Sequence, residues 1–182
     1  MDHRAIWMGR HCAAVTVSRG LALLSLVWVL ALPLAADMRA TAPERNAWAL
    51  TVSRGVYALG HFVCHQRRER SFSWAQVPWP VCARCTGIYV GVAVGLAAAM
   101  SARQWRRSVA RRSLTPAQVR AALAIAALPI AVSLTWEWTT GQTPSHLVRA
   151  ATGLVAGVIV ALLIDAFLHE ASEPSAFGPV RA

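Results

Sequence analysis

The sequence predicts an all-α fold: a polytopic transmembrane helical bundle with a four-helix core and a hydrophobic segment ahead of it. Three observations predict it. Hydrophobic residues make up 56% of the chain and charged residues only 14%, against roughly a quarter charged in ordinary globular domains. Several apolar runs approach the ~20 residues that a bilayer-crossing helix needs. The polar residues are gathered into short links between those runs. The division expected is 1–45 as a basic N-terminus with a hydrophobic anchor, 46–168 as a four-helix membrane domain, and 169–182 as a disordered tail.

In chain order, the first segment is basic, with Arg4, Arg10 and Arg19, and leads into the apolar run from Gly20 to Ala36. This resembles a secretory signal, but Leu34 stands where cleavage wants a small residue, so a retained anchor is expected. A polar link from Asp37 to Arg45 follows. The second span is expected from Asn46 to His65 and contains Arg54, a charge that must snorkel or find a partner at that depth. Pro78-Trp79-Pro80 excludes a continuous helix in the next link. The third span, from Val81 to Ala102, carries Gly87, Gly91 and Gly95 at four-residue spacing, which lets helix backbones approach closely in lipid. Arg103 to Arg112 is the most basic link. Thr115-Pro116 then reads as an N-cap and first helical residue. The fourth span runs to about Trp138, with Pro129 and Glu137 inside it. A turn from Thr139 to Ser145 precedes the last span, His146 to Leu168, where Gly153 and Gly157 repeat the small-residue spacing. Trp48, Trp79, Trp105, Trp136 and Trp138 lie near span ends, as an aromatic belt requires.

The formal charge of +10 comes from eighteen arginines and no lysine. They fall mainly between apolar runs, where they orient helices and meet anionic headgroups, so lipid rather than nucleic acid is the expected partner. Placing Arg103 to Arg120 in the cytoplasm puts the Gln66–Pro80 link outside. A conflict follows: if the first segment also crosses, the basic N-terminus is forced outside, against the same rule. The expected location is a prokaryotic plasma (inner) membrane. The glycine stripes also offer a surface for a helix–helix homo-oligomer.

The chemistry is concentrated between Cys64 and Tyr89, which hold three of the four cysteines. Cys64-His65-Gln66, Glu69-Arg70-Ser71-Phe72 and Pro80-Val81-Cys82-Ala83-Arg84-Cys85-Thr86-Gly87-Ile88-Tyr89 resemble the signature of a family of small prokaryotic membrane proteins, domain of unknown function 2085. Arg149-x-x-Thr152-Gly153-x-x-x-Gly157 extends the resemblance. It implies a four-helix membrane core over about Asn46 to Leu168 and no established activity. The family pattern has an Asp and a Gln on the preceding helix, where this chain has Ser133 and Glu137.

The residues themselves point to a metal. His61, Cys64 and His65 are spaced for one helix face, and Cys82 and Cys85 lie one turn apart on the next helix. Thiolates and imidazole in pairs on two arms suit tetrahedral zinc, and iron accepts the same set. Helix geometry favours His61 over His65, because His65 is rotated by roughly 100° from Cys64. A structural disulfide and a thiol–disulfide redox pair stand as alternatives. Arg70 and Arg84 are candidates for an anion or lipid-headgroup contact, which also admits an anion or headgroup transporter. Glu137 and Arg149 are candidates for an intramembrane ion pair. No Ser-His-Asp order, phosphate-binding loop or zincin motif is present, so no catalytic class is indicated.

Overall fold

A computed structural model describes residues 3–41, 46–105 and 114–170 of the protein. It contains five α-helices: α1 (His3–Thr41), α2 (Ala47–Val63), α3 (Ala83–Trp105), α4 (Pro116–Thr140) and α5 (His146–Glu170). Between α2 and α3 lie a single 3-10 turn (Arg68–Arg70) and a two-stranded hairpin, β1 (Ser73–Trp74) with β2 (Val77–Pro78). The basic link at 106–113 and the tail at 171–182 fall outside the described residues, as do 42–45.

Four helices are long and apolar enough to cross a membrane: α1 over Cys12–Thr41, α3 over Ala83–Ala102, α4 and α5. The fold is turned inside out relative to a soluble protein. Leu24, Val27, Leu128, Val132 and Trp138 are exposed, and the largest fully buried side chain is Arg149. Lipid solvates the first set, so burial is reserved for small residues and polar groups that have partners.

The tightest packing lies between α3 and α5. A Cβ on Gly87 would strike the Ala150 carbonyl oxygen, and one on Gly91 would strike that of Leu154. From the other side, Gly153 abuts the Arg84 carbonyl and Gly157 that of Ile88. Both partners advance by four residues per step in the same direction, so α3 and α5 run parallel. The stripes therefore close on each other within one chain.

α4 connects the two in sequence and packs against α5. Its N-terminus is built as expected. Thr115 and Gln118 form a capping box, with the Gln118 N–H donating to Thr115 Oγ1 (3.3 Å) and the Thr115 N–H to Gln118 Oε1 (2.9 Å). Pro116 sits in the first turn, where its missing N–H is not needed. Gly141, at φ +68°, ends the helix by donating to the Glu137 carbonyl at 3.0 Å.

α1 differs most from the sequence expectation. It continues as helix through Asp37–Thr41, where the sequence predicts a polar link. It runs antiparallel to α3 and α5. Ser18 meets Asp165 near the end of α5, Trp28 stacks edge-on against Tyr89 (6.0 Å), and Asp37 accepts from Trp74 Nε1 of the hairpin (3.0 Å). α2, at 17 residues, is about 25 Å long, short of the ~30 Å hydrocarbon core. It lies along the last turns of α1, where Ser53 Oγ donates to the Ala35 carbonyl (2.8 Å) and the Arg39 guanidinium covers the Tyr57 ring (4.6 Å). Arg54 is exposed and needs no buried partner. Among the described residues, the helices long and apolar enough to cross are thus α1, α3, α4 and α5, while the sequence reading places its four-helix core from Asn46 onward. With that set, the start of α1 lies at the same end of the bundle as the end of α3.

Candidate functional site

The site forms where α2 ends and α3 begins. Cys64 closes α2: its N–H still donates to the Gly60 carbonyl (2.9 Å), but its own backbone is extended (φ −150°, ψ 140°). Gln66 follows at φ +48°, a conformation side-chain-bearing residues adopt rarely. Its amide Nε2 donates to the Tyr57 carbonyl (2.6 Å) and the Pro80 carbonyl (2.8 Å), so one side chain ties the exit of α2 to the entry of α3. Gly60 permits this, since a Cβ there would meet the Pro80 carbonyl and lie 2.9 Å from Gln66 Nε2. The link between folds back as the hairpin, turning at Ala75 and Gln76, both with positive φ. Phe72 stacks on Trp79 and on His146, and the His146 ring nitrogen Nε2 lies 3.2 Å from the Glu69 carbonyl, seating the link on the first turn of α5.

The result is a group of three thiols. Cys64, Cys82 and Cys85 have sulfurs within 4.8 Å of one another, all half-buried and all free. Two zinc-bound sulfurs at ~2.3 Å from a tetrahedral ion lie about 3.8 Å apart, so the spacing fits a metal of that class. The Cys82 N–H points at Cys64 Sγ from 3.2 Å. Hydrogen bonds from the Cys82 thiol first, then the Cys85 thiol, push the Cys64 thiol below the ordinary thiol range, against the opposing effect of burial.

His61 and His65 are both exposed and neither belongs to this group. The helical argument for His61 fails at Cys64, whose extended φ rotates its side chain away from the α2 face that carries His61. His65 lies beyond the end of the helix altogether.

Facing the thiols are arginines. Arg70 on the 3-10 turn lies 2.5 Å from Glu137 Oε1, and Arg149 Nη2 lies 3.4 Å from Glu137 Oε2. Arg84 Nη2 donates to Ser133 Oγ at 3.0 Å. Ser133 and Glu137, one turn apart on α4, are both buried and take these guanidiniums from a single helix face. Cys64, Cys82 and Cys85 together with Arg70, Arg84 and Arg149 line one cavity of about 270 Å³. Arg67 and Arg68 are exposed.

Sequence reasoning passed over a second polar cluster at the other end of α5. Asp165 is buried and accepts from Ser18 Oγ at 2.9 Å, with His169 Nε2 3.9 Å from its carboxylate. The available signal was an Asp–His pair at i,i+4 inside an apolar run.

A family model described as Predicted membrane protein (DUF2085) matches residues 64–163. The chain belongs to this family. The matched stretch starts at Cys64, so it contains all three clustered thiols and the Arg70, Arg84, Glu137 and Arg149 groups, while His61 and α1 precede it. An uncharacterised protein of Methanothermobacter thermautotrophicus is 30% identical over 112 residues, covering 59% of this chain and 89% of the relative. A second uncharacterised protein, MJ1492 of Methanocaldococcus jannaschii, is 38% identical over 71 residues, 39% of this chain and 45% of the relative. No solved structure matches.

Proposed function

We propose that this integral membrane protein binds one zinc or iron ion through Cys64, Cys82 and Cys85 at one membrane face, in a prokaryotic plasma membrane. The observation that carries this reading is the convergence of three thiols from two separate helix ends to within 4.8 Å. Three protein ligands are the number found in sites that keep one coordination position for water or substrate, whereas structural zinc sites use four. The cavity bordered by the same cysteines is where a small exogenous ligand would approach, so the metal is read as reactive or transported rather than as a staple. Arg67 and Arg68, exposed at the same face, suit contact with lipid headgroups.

The test is elemental analysis of protein purified without chelator. About one metal per chain is expected, since such sites bind tightly. Cys82→Ser and Cys85→Ser should each abolish it, while His61→Ala, His65→Ala and Cys12→Ser should not. Metal-free protein with intact thiols and no zinc uptake on titration would overturn the reading.

A second reading, thiol–disulfide chemistry, is favoured by three free thiols within 4.8 Å of one another and by the lowering of the Cys64 thiol by its cysteine neighbours. It predicts that, in metal-free protein handled in air, two of the three cluster thiols are blocked to alkylation until a reductant is added.

A further inference from the structure

Arg149 is only 1% exposed, yet of its three guanidinium nitrogens one alone, Nη2, meets an acceptor. Its Nε and Nη1, and the Nε of Arg84, are buried without a hydrogen-bond partner among the described residues. Leaving charged donors unsatisfied in a buried position is costly, so a native fold retains such donors where something else completes them. Both side chains line the cavity of about 270 Å³, with Arg70 as a third wall. That volume is several times the ~30 Å³ share of one water. Arg67 borders the cavity as well, so four arginines line it, and the carboxylate that meets them there, Glu137, pairs with Arg70 and Arg149. A divalent ion on three thiolates would add one negative charge and still leave the cavity positive. The first turns of α3 and α5 also open beside it, so the positive ends of two helix dipoles add to the same field.

We infer that this cavity is a binding site for a tetrahedral oxyanion of the phosphate class, held by Arg149 and Arg84 and closed by Arg70. Guanidinium forks match such oxygens in pairs. The same chemistry can come from free inorganic phosphate or from the phosphodiester of an anionic lipid, because the cavity lies at the helix ends where headgroups sit. The inference rests on the arginine donors and stands whether or not the thiols carry a metal.

The experiment uses the full chain purified in a maltoside detergent, which contributes no phosphate. Inorganic phosphate is titrated by calorimetry, and retained phosphatidylglycerol is sought by native mass spectrometry. Wild-type protein should bind one phosphate per chain, if the source is the solute, or carry one phosphatidylglycerol, if it is the headgroup. Arg84→Gln should weaken whichever is bound by about tenfold or more, the effect of losing one charged hydrogen bond. Arg149→Lys, which keeps the charge but loses the fork, should do the same. Arg120→Gln, on an exposed stretch of α4, should leave binding unchanged. Should Arg149→Lys fail to fold, Arg84→Gln decides alone. Protein stripped of metal should bind equally well, which separates this inference from the metal reading. Wild-type protein that takes up neither probe, or an Arg84→Gln variant that binds as the wild type does, would overturn it.

Discussion

Near the first turn of α5, Arg149 is buried against Glu137 and a cavity; sixteen residues later, and about 24 Å along the helix, Asp165 is buried against Ser18 and His169. Both ends bury an ionisable group inside a membrane bundle, where it needs a partner. They differ in how the polar atoms are answered. At the far end the carboxylate takes the Ser18 hydroxyl of α1, which fastens α1 to α5. At the near end donors outnumber acceptors and soft sulfurs stand opposite. A buried charge met by a neighbouring helix acts as a clamp, and buried donors left over beside a cavity mark a site. Between the two ends runs the glycine seam, which fixes the height of α5 against α3 and so sets both.

The largest effect is expected in that seam. Gly91→Leu should abolish monodisperse, folded protein, because even its Cβ collides with the Leu154 carbonyl. Gly55→Leu, with nothing within 4 Å, should purify normally. Size-exclusion chromatography of both in detergent checks this, and a well-behaved Gly91→Leu protein would mean that the two ends are not held in register by the seam.

Charge removal at the two ends should then separate them. Arg149→Met leaves Glu137 with only the partly exposed Arg70 and should cost about 3–5 kcal/mol, as breaking a buried pair does. Asp165→Asn keeps an acceptor for Ser18 and should cost only about 1 kcal/mol, with bound metal unchanged. Thermal unfolding of the two variants measures the contrast. Equal losses, or metal lost in Asp165→Asn, would dissolve the distinction between clamp and site.

The two ends should also face opposite compartments. Reporters fused after Gln76 and after Ser108 should give opposite signals, and a reporter at the N-terminus should match the one at Ser108. An N-terminus matching Gln76 would mean that α1 does not cross as it is drawn here.

The smallest effect is a matter of pH. The cysteine neighbours lower the Cys64 thiol below the usual thiol range. In metal-free protein its alkylation by iodoacetamide should therefore stay nearly flat as pH falls from 8 to 6. A glutathione reference, with a thiol pKa near 8.5, should slow about tenfold per unit over the same interval. Parallel slowing of Cys64 would show that the cluster does not hold a thiolate.

What the sequence determined by itself is everything written locally along the chain. The apolar runs give the helices, Thr115-Pro116 and Gly141 give the limits of α4, and Cys64 with Cys82-x-x-Cys85 locates the thiols to within one link. Glycines at four-residue spacing announce a close helix contact without saying with what. Only the tertiary structure decided that the contact is α3 on α5, in parallel, and that α2 stops short and lies along α1. It alone placed both histidines outside the thiol group, since that depends on how the backbone leaves the helix at Cys64. It alone set Arg149 against Glu137 and Ser18 against Asp165. Hydropathy and periodicity report which face of a helix is apolar. The partner of a buried charge depends on the height and rotation of a second helix, and those are settled by packing between segments far apart in sequence.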